Sequence, residues 1–497
     1  MAYTPNEADP FYEIMRPPPD ETPAQMTARL KREADAQRIS DNIDEDIKRD
    51  RAAQRKLRKE LRILLLGQGE SGKSTTLKNF RMQYARDAWE KERSGWRAVV
   101  QLNIIRSIIL ILEIIEAEMS GNVPLEEDEA PRRFSDSAAD VFTDKHRLLM
   151  IRLAPLHGVE LDLKRRLGAG AEPVHPSLPM SATPFDDPAP IPSPKRRDEF
   201  FVRSWTDAID LARPQDSPTH ADLDSSTITL MTCKDDMQAL WSDPAVQLAL
   251  DRRKIRLVDT AGFFLNDLDR IATRSYVATD DDIVRARLRT VGIQEYLLRI
   301  GDGFQLLGGD NSWIWKLYDV GGCRTVRSAW LPFFEGDNCD AIIFLCPVSC
   351  FDERLDEDTR VNRLEDSTLL WRSICSSKLL AKTQLILFLN KCDLLKRKLK
   401  RGVKIKTYLP SYGDRPNEVM PVVKCQSAIC RRSQLAHGTH RSDLREKYKE
   451  IQRQHSPEPR VAYIYTTTVT DTTATAKTLH SIRDRVLREN LVTSNLV

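Results

Sequence analysis

Apolar positions along this chain follow two regimes. Up to about residue 283 they recur mostly at helical spacing, and beyond it they gather into short continuous runs separated by helical stretches. Residues 23–59 are densely and oppositely charged, and Leu30, Ile39, Ile43 and Ile47 mark about one face. So thin a stripe predicts a long exposed helix that docks on a partner. The run Leu61–Leu66 (LRILLL) ends at a glycine-rich loop and reads as a buried parallel strand. Residues 76–119 read as helix. The most apolar stretch, Ile104–Ile115, carries Arg106 and Glu113, so it is too short and too charged to span a bilayer and reads as a buried helix.

Between residues 120 and 200 the pattern fails. EEDEAPRR, GAGAEP and PSLPMSATPFDDPAPIPSPKRR mark a loop-like or disordered insertion, with short helices at RLLMIRLAP and VELDLKRRL. Helical patterning returns in FFVRSWTDAIDLA and ITLMTCKDDMQALWSDPAVQLALD. Strand candidates follow at Trp313–Tyr318, Ala341–Cys346, Gln384–Leu389 and Val461–Tyr465, an alternation that predicts a parallel α/β sheet. One α/β domain therefore starts near Leu61, is interrupted by mostly helical residues, and resumes near Arg285. Residues 1–24, rich in proline and acid, are expected to be disordered.

Composition narrows this little. With 30 % charged and 41 % apolar residues and a net charge of +3, the chain reads as globular and soluble, without the charge excess that marks nucleic-acid binders or polybasic membrane proteins. Its 9 cysteines lack zinc or disulfide spacing and read as reduced thiols in a cytosolic protein. The N-terminus has no apolar run that would make a signal peptide.

Chemistry enters at Gly67-Gln68-Gly69-Glu70-Ser71-Gly72-Lys73-Ser74, which fits G-x-x-x-x-G-K-S between a strand and a helix. Backbone amides of such a loop cradle phosphates, the lysine reaches the β and γ phosphates, and the Ser74 hydroxyl ligates Mg²⁺. The base is chosen by Asn390-Lys391-Cys392-Asp393, placed after QLILFL. The Asp393 carboxylate can accept from N1–H and the 2-amino group of guanine, whereas adenine would leave it unpaired. A γ-phosphate sensor is expected at a D-x-x-G string, and two compete: Asp259–Gly262 and Asp319–Gly322. The second ends a strong strand and lies beyond the Arg/Thr segment at 282–293, so Asp319 is expected to face the metal through water and the Gly322 amide to contact the γ-phosphate.

That Arg/Thr segment, DIVRARLRTVGI at 282–293, resembles the first switch of heterotrimeric G-protein alpha subunits. LLLGQGESGKST, FFLNDLDRIA, YDVGGCRTVRSAWLPFFEG, NRLEDSTLLWRSIC, ILFLNKCDL and TTVTDT are similar to further signatures of that family, in the same order. The resemblance covers most of the chain outside the N-terminal residues and the 120–200 insertion. It implies an α/β, Ras-like P-loop GTPase domain at 61–84 and 285–497, interrupted by an all-α helical domain at 85–284 that holds the Pro-rich insertion, and preceded by a partner-binding helix at 25–60. It implies nucleotide contacts at Gly67, Glu70, Ser71, Gly72, Lys73, Ser74, Thr75, Asp259, Thr260, Val284, Arg285, Arg287, Thr290, Asp319, Gly322, Asn390, Lys391, Asp393 and Val469. Arg287 becomes a built-in arginine finger, Ser74 and Thr290 the protein ligands of Mg²⁺, and Arg327 with Asp366 a pair joining the second switch to the next helix. Implied partners are a βγ dimer, a G-protein-coupled receptor and a downstream effector.

Two departures change the expectations. Cys323 stands where the family has the glutamine that orients the attacking water, so catalysis at Arg287 and Cys323 is expected to be slow while binding stays intact. Ala2 replaces the glycine needed for myristoylation, and no cysteine precedes Cys233, so no N-terminal myristoyl or palmitoyl anchor is expected. The chain reads as a GTP/GDP switch with GTPase activity, cytoplasmic or at the inner face of the plasma membrane as a peripheral subunit. The alternative is a scaffold or effector-binding module that holds GTP and hydrolyses little.

Overall fold

A computed structural model describes residues 22–57, 60–120, 142–168, 201–202, 204–212, 221–253, 255–290, 293–300, 313–322, 324–334, 339–355, 358, 360–409, 412, 417–419 and 444–493. The N-terminal stretch, most of the Pro-rich insertion and Cys323 lie outside these residues, as do the side chains of Ile47 and Thr290. Helix α1 (Pro23–Leu57) belongs to the first of two units, which also takes in the chain from Leu491. It starts with Pro23 at its first position and with the Gln25 side chain accepting from the Thr22 amide at 3.0 Å. Its apolar stripe, Met26, Leu30, Ile39 and Ile43, is exposed.

The second unit is built on a six-stranded sheet. Its strands are β1 (Glu60–Gly67), β4 (Ile293–Ile300), β5 (Trp313–Val320), β6 (Ala341–Pro347), β7 (Gln384–Asn390) and β8 (Ala462–Thr466), in the order β4-β5-β1-β6-β7-β8. All neighbours are parallel except β4 against β5. The apolar runs read from the sequence are the parallel strands; β6 is buried at every position and β7 at all but its first, as strands covered on both faces are. β4 alternates exposed and buried positions along IQEYLLRI, as an antiparallel edge strand does, which is why its sequence carries no strong run. On one face Phe344 and Trp371 pack with ring centroids 5.3 Å apart, and the Trp371 indole donates to the Tyr448 carbonyl at 3.0 Å. These residues join the sheet to α12 (Arg363–Ser376) and α15 (Leu444–His455).

The predicted helix at 76–119 is two: α2 (Lys73–Tyr84) and α3 (Arg86–Met119), broken at Ala85, whose φ of −137° leaves the helical region. α3 contains an apolar window long enough to cross a membrane, yet 78 % of that window is buried within the protein. It is the core helix of the insertion. Around it come α4 (Asp144–Leu153), α5 (Pro155–Arg166), the short strand β2 (Phe201–Val202), α6 (Trp205–Leu211), α7 (Ala221–Thr232), α8 (Lys234–Trp241), α9 (Pro244–Arg252), α10 (Leu268–Ile271) and α11 (Asp280–Arg285). The helices expected inside the 120–200 stretch are α4 and α5. The chain then re-enters the sheet through β3 (Arg289–Thr290), which pairs with β2, and the remaining helices are α13 (Cys392–Lys400), α14 (Ile405–Tyr408) and α16 (Thr472–Thr493).

The re-entry is anchored by Asp282, fully buried at the start of α11. Its carboxylate accepts from Arg270 at 2.7 Å twice, from the Tyr276 hydroxyl at 3.0 Å and from the Thr279 amide at 3.0 Å. Burial alone would raise its pKa, but these donors hold it down at about 2. Since the unfolded value is near 4, the stabilisation is complete above that pH and is lost as pH falls towards 2. Asp282→Asn should cost about 2 kcal/mol in urea unfolding at pH 7, and the gap to wild type should narrow below about pH 4.

Candidate functional site

Parallel register brings the carboxyl ends of the strands to one edge. Leu65 lies beside Asp319, Pro347 beside Asn390 and Leu389 beside Thr466. Ligands bind along such an edge in open α/β sheets. Here it opens into a cleft of about 800 Å³, lined by the phosphate-type loop, residues 258–263, 284–289 and 319–322, and the stretches at 390–394 and 469–470.

The loop leaves β1 at Gly67 and enters α2 at Lys73 through Gly72, which is left-handed at φ 105°, as is Glu70 at φ 59°. The first turn of α2 contains no acidic residue, so its unpaired amides and positive dipole end face the cleft uncancelled. The Lys73 ammonium folds over the loop and donates to the carbonyls of Gly67 at 2.9 Å and Gln68 at 2.7 Å. Among the described residues the buried Ser71 hydroxyl has no hydrogen-bond partner. Ser74 and Thr75 line the cleft in the next turn.

Ser74 donates its hydroxyl proton to Asp319 at 2.7 Å. The carboxyl of Asp319 is buried, which raises its pKa, while Lys73, the Ser74 hydroxyl and Lys78 pull the other way. Lys78 is itself buried; desolvation lowers its pKa to about 7 against the pull of Asp319. Its ammonium donates to the carbonyls of Ile283 at 2.9 Å and Ala286 at 2.7 Å. Beyond Asp319 the chain runs against the loop: a Cβ on Gly322 would lie 2.5 Å from both the Gly69 nitrogen and the Lys73 ammonium nitrogen, so only glycine fits. Of the two D-x-x-G strings, then, the structure brings the second to the loop and sets the first on the opposite wall.

At the other end of the cleft the fully buried Asn390 donates to the Ser71 carbonyl at 2.8 Å and accepts from the Thr467 hydroxyl and the Val469 amide, both at 3.2 Å. Lys391 turns the chain with φ 62° into α13. Burial lowers its pKa, countered first by Glu70. Asp393, half-exposed in the cleft, has Arg397 at 3.4 Å. Asp259 faces it from the helical insertion and pairs with Arg397 at 2.9 Å and Arg401 at 2.8 Å. The hydroxyl of Thr260 beside it donates to the Leu257 carbonyl at 2.7 Å.

The arginine segment is held from behind. Asn103, a polar break in the apolar face of α3, accepts from the Arg287 amide at 2.7 Å and donates to the Arg287 carbonyl at 2.8 Å. With its backbone pinned, Arg287 reaches the loop and pairs with Glu70, which also pairs with Arg289 at 3.1 Å. Burial would raise the Glu70 pKa, but Arg287, Lys391, Arg363 and Arg289 together hold it at about 2. Val284 is buried, and Arg285 donates to the Phe263 carbonyl at 2.9 Å. Thr290 contributes its backbone to β3. Arg327 meets Asp366 in a buried two-pronged pair at 2.6 and 3.2 Å.

Sequence reading missed Asn103, Lys78, Arg397, Arg401 and Gln68, whose side-chain amide donates to the Arg363 carbonyl at 2.8 Å and to Asp366. Two left a trace: Asn103 interrupts an apolar run, and Arg397 sits one helical turn after Asp393. Removing the charge with Asp259→Asn should speed nucleotide release about five- to tenfold, and the difference should shrink as salt is raised, measured with a fluorescent nucleotide.

Comparison with known proteins bears on this arrangement. The model of the G-protein alpha subunit family matches residues 37–486. The chain is 30 % identical to the guanine nucleotide-binding protein alpha-4 subunit of Mycosarcoma maydis, over 99 % of this chain and 96 % of that one. It is 28 % identical to the alpha-2 subunit of Neurospora crassa, over 92 % and 96 %, and 31 % identical to the alpha-1 subunit of Mycosarcoma maydis, over 74 % and 77 %. The chain belongs to the G-protein alpha subunits, guanine nucleotide-binding GTPases of signal transduction.

Proposed function

We propose that the cleft holds GTP with its phosphates on the loop at Gly67–Thr75 and its guanine between Asp393 and Val469. The observation that carries this reading is the Asn390–Ser71 hydrogen bond, which fixes a guanine-selective segment to a phosphate-type loop. Asp393 supplies two acceptor oxygens for N1–H and the 2-amino group, and Asn390 and Lys391 set its position. Lys73, the amides opening α2 and the Gly322 amide neutralise the phosphates.

The residues suit Mg²⁺. Ser74 and Asp319 offer oxygen donors at the loop. Among the described residues no group of three or more His, Cys, Asp or Glu could enclose a metal. That combination fits a small hard cation that keeps waters and takes the rest of its ligands from phosphates. Ser74 and Thr290 would ligate it directly and Asp319 through water. When bound, Mg²⁺ would supply positive charge against the phosphates.

For hydrolysis, Arg287 stabilises charge on the γ-phosphate once it leaves Glu70 for the phosphate oxygens. Cys323 can neither donate nor accept through an amide, so the attacking water is poorly oriented and GTP persists. This departure also supports the second reading, a GTP-holding module that engages an effector for long periods. Loss of the γ-phosphate would release the first switch around Thr290 and the second around Gly322. The exposed stripe of α1 and the second switch suit a βγ dimer, with receptor-driven exchange and effector binding as the remaining partner steps. Membrane association would be peripheral, at the cytoplasmic face and through partners.

Asp393→Asn should shift preference from guanine to xanthine nucleotides; unchanged GTP affinity would reject the assigned base contact. In single-turnover assays Cys323→Gln should raise the hydrolysis rate at least tenfold, and Arg287→Ala should abolish that gain. Equal rates for wild type and Cys323→Gln would refute the slow-hydrolysis reading. Mostly GTP in the protein as purified favours the persistent state, and mostly GDP the working switch.

A further inference from the structure

The Pro-rich stretch ends at residue 200, and the described chain that follows it reaches the first switch. β2 lies parallel to β3, with Phe201 beside Arg289 and Val202 beside Thr290. Two residues of ladder do not hold together in water by themselves. What holds this one is the next turn of chain. Ser204 caps α6, accepting from the Asp207 amide at 3.3 Å, and Trp205 enters a buried slot where three elements meet. Its ring centroid is 5.2 Å from that of Trp96 on α3 and 5.6 Å from that of Tyr296 on β4, and the Arg81 guanidinium of α2 lies 4.6 Å above it. Arg81 is fixed in turn by a buried ion pair with Glu92 of α3.

The rest of α6 is anchored as firmly. Val202, Ala208 and Ile209 are buried. A Cβ on Gly95 of α3 would lie 2.3 Å from the Ile209 carbonyl oxygen, so the two helix backbones touch where only glycine permits it.

We propose that Phe201–Ala212 is a strap that fastens the first switch, Arg287–Thr290, to the helical insertion, with Trp205 as its positioning residue. Asn103 fastens the same segment from α3 at Arg287. The strap fastens it two residues further on, through Arg289 and Thr290. The segment is thereby restrained at both ends of its arginine-to-threonine span. The strap lies in the helical insertion, outside the signature blocks read from the sequence. It rests on the reading of 287–290 as the first switch, and it limits how far that segment moves when the γ-phosphate is lost.

Hydrogen–deuterium exchange on the full-length GDP-treated chain tests this. Trp205→Ala should speed exchange at the amides of 287–300 at least tenfold and leave β1 and β6 unchanged, with Trp205→Phe close to wild type. The milder Ile209→Ala should act in the same direction and keeps the test available should Trp205→Ala fold poorly. Exchange at 287–300 equal to wild type in both alanine variants would overturn the strap. So would equal acceleration in β1 and β6, which would make Trp205 ordinary core packing. The exchange readout at 287–300 does not require nucleotide in the cleft, so a chain that failed to bind GDP would refute the proposed function and leave the strap to be judged separately.

Discussion

The side-chain amide of Asn390 joins pieces of chain that sequence separates by hundreds of residues. It ends β7, donates to the phosphate-type loop at Ser71 and accepts from Thr467 and the Val469 amide beyond β8. Fully buried, it would leave donors and acceptors stranded if any of these segments moved away, and each stranded group costs on the order of 1–3 kcal/mol. The geometry of the cleft depends on that satisfaction. The loop at Gly67–Thr75 and the segment at 390–393 cannot drift apart without breaking it.

A second layer of polar joints aligns the helical insertion with the sheet. Asn103 pins the Arg287 backbone, Lys78 binds the carbonyls of Ile283 and Ala286, and Asp259 meets Arg397 and Arg401 across the cleft. These joints differ in character. The first two are buried and set geometry, whereas the Asp259 pairs are partly exposed and screened by salt, so they suit a contact that must open. Trp205 adds a buried aromatic joint beside residues 289–290, packed on Trp96 and Tyr296 with the Arg81 guanidinium over its ring.

The electrostatics of the loop follow from the same crowding. Arg287, Arg289, Arg363 and Lys391 converge on Glu70, which keeps it ionised despite burial. An anion arriving at the loop therefore enters a field already dominated by positive charge. Arg287 can exchange its Glu70 partner for phosphate with little change in desolvation.

Much of the fold was legible because parallel strands buried on both faces are continuously apolar, as β6, the body of β7 and the end of β1 are. β4 was not, because an edge strand with one wet face alternates and resembles loop or helix in a short window. The break at Ala85 escaped notice because no glycine or proline marks it. The P-loop pattern and the N-K-x-D string were readable because each needs particular residues at contiguous positions. Asn103, Lys78, Gln68 and the Arg397–Asp259 pairing were not, since each acts on a partner far away in sequence. The sequence by itself determined which residues the chemistry can draw on: the G-x-x-x-x-G-K-S loop, the N-K-x-D string with Asp393, Arg287, and Cys323 after the second pair of glycines. Only the tertiary structure decided that Asn390 meets Ser71 and Val469, and that Phe201–Val202 pairs with Arg289–Thr290. Local residue types encode local chemistry, whereas register and burial arise only when distant segments compete for the same space.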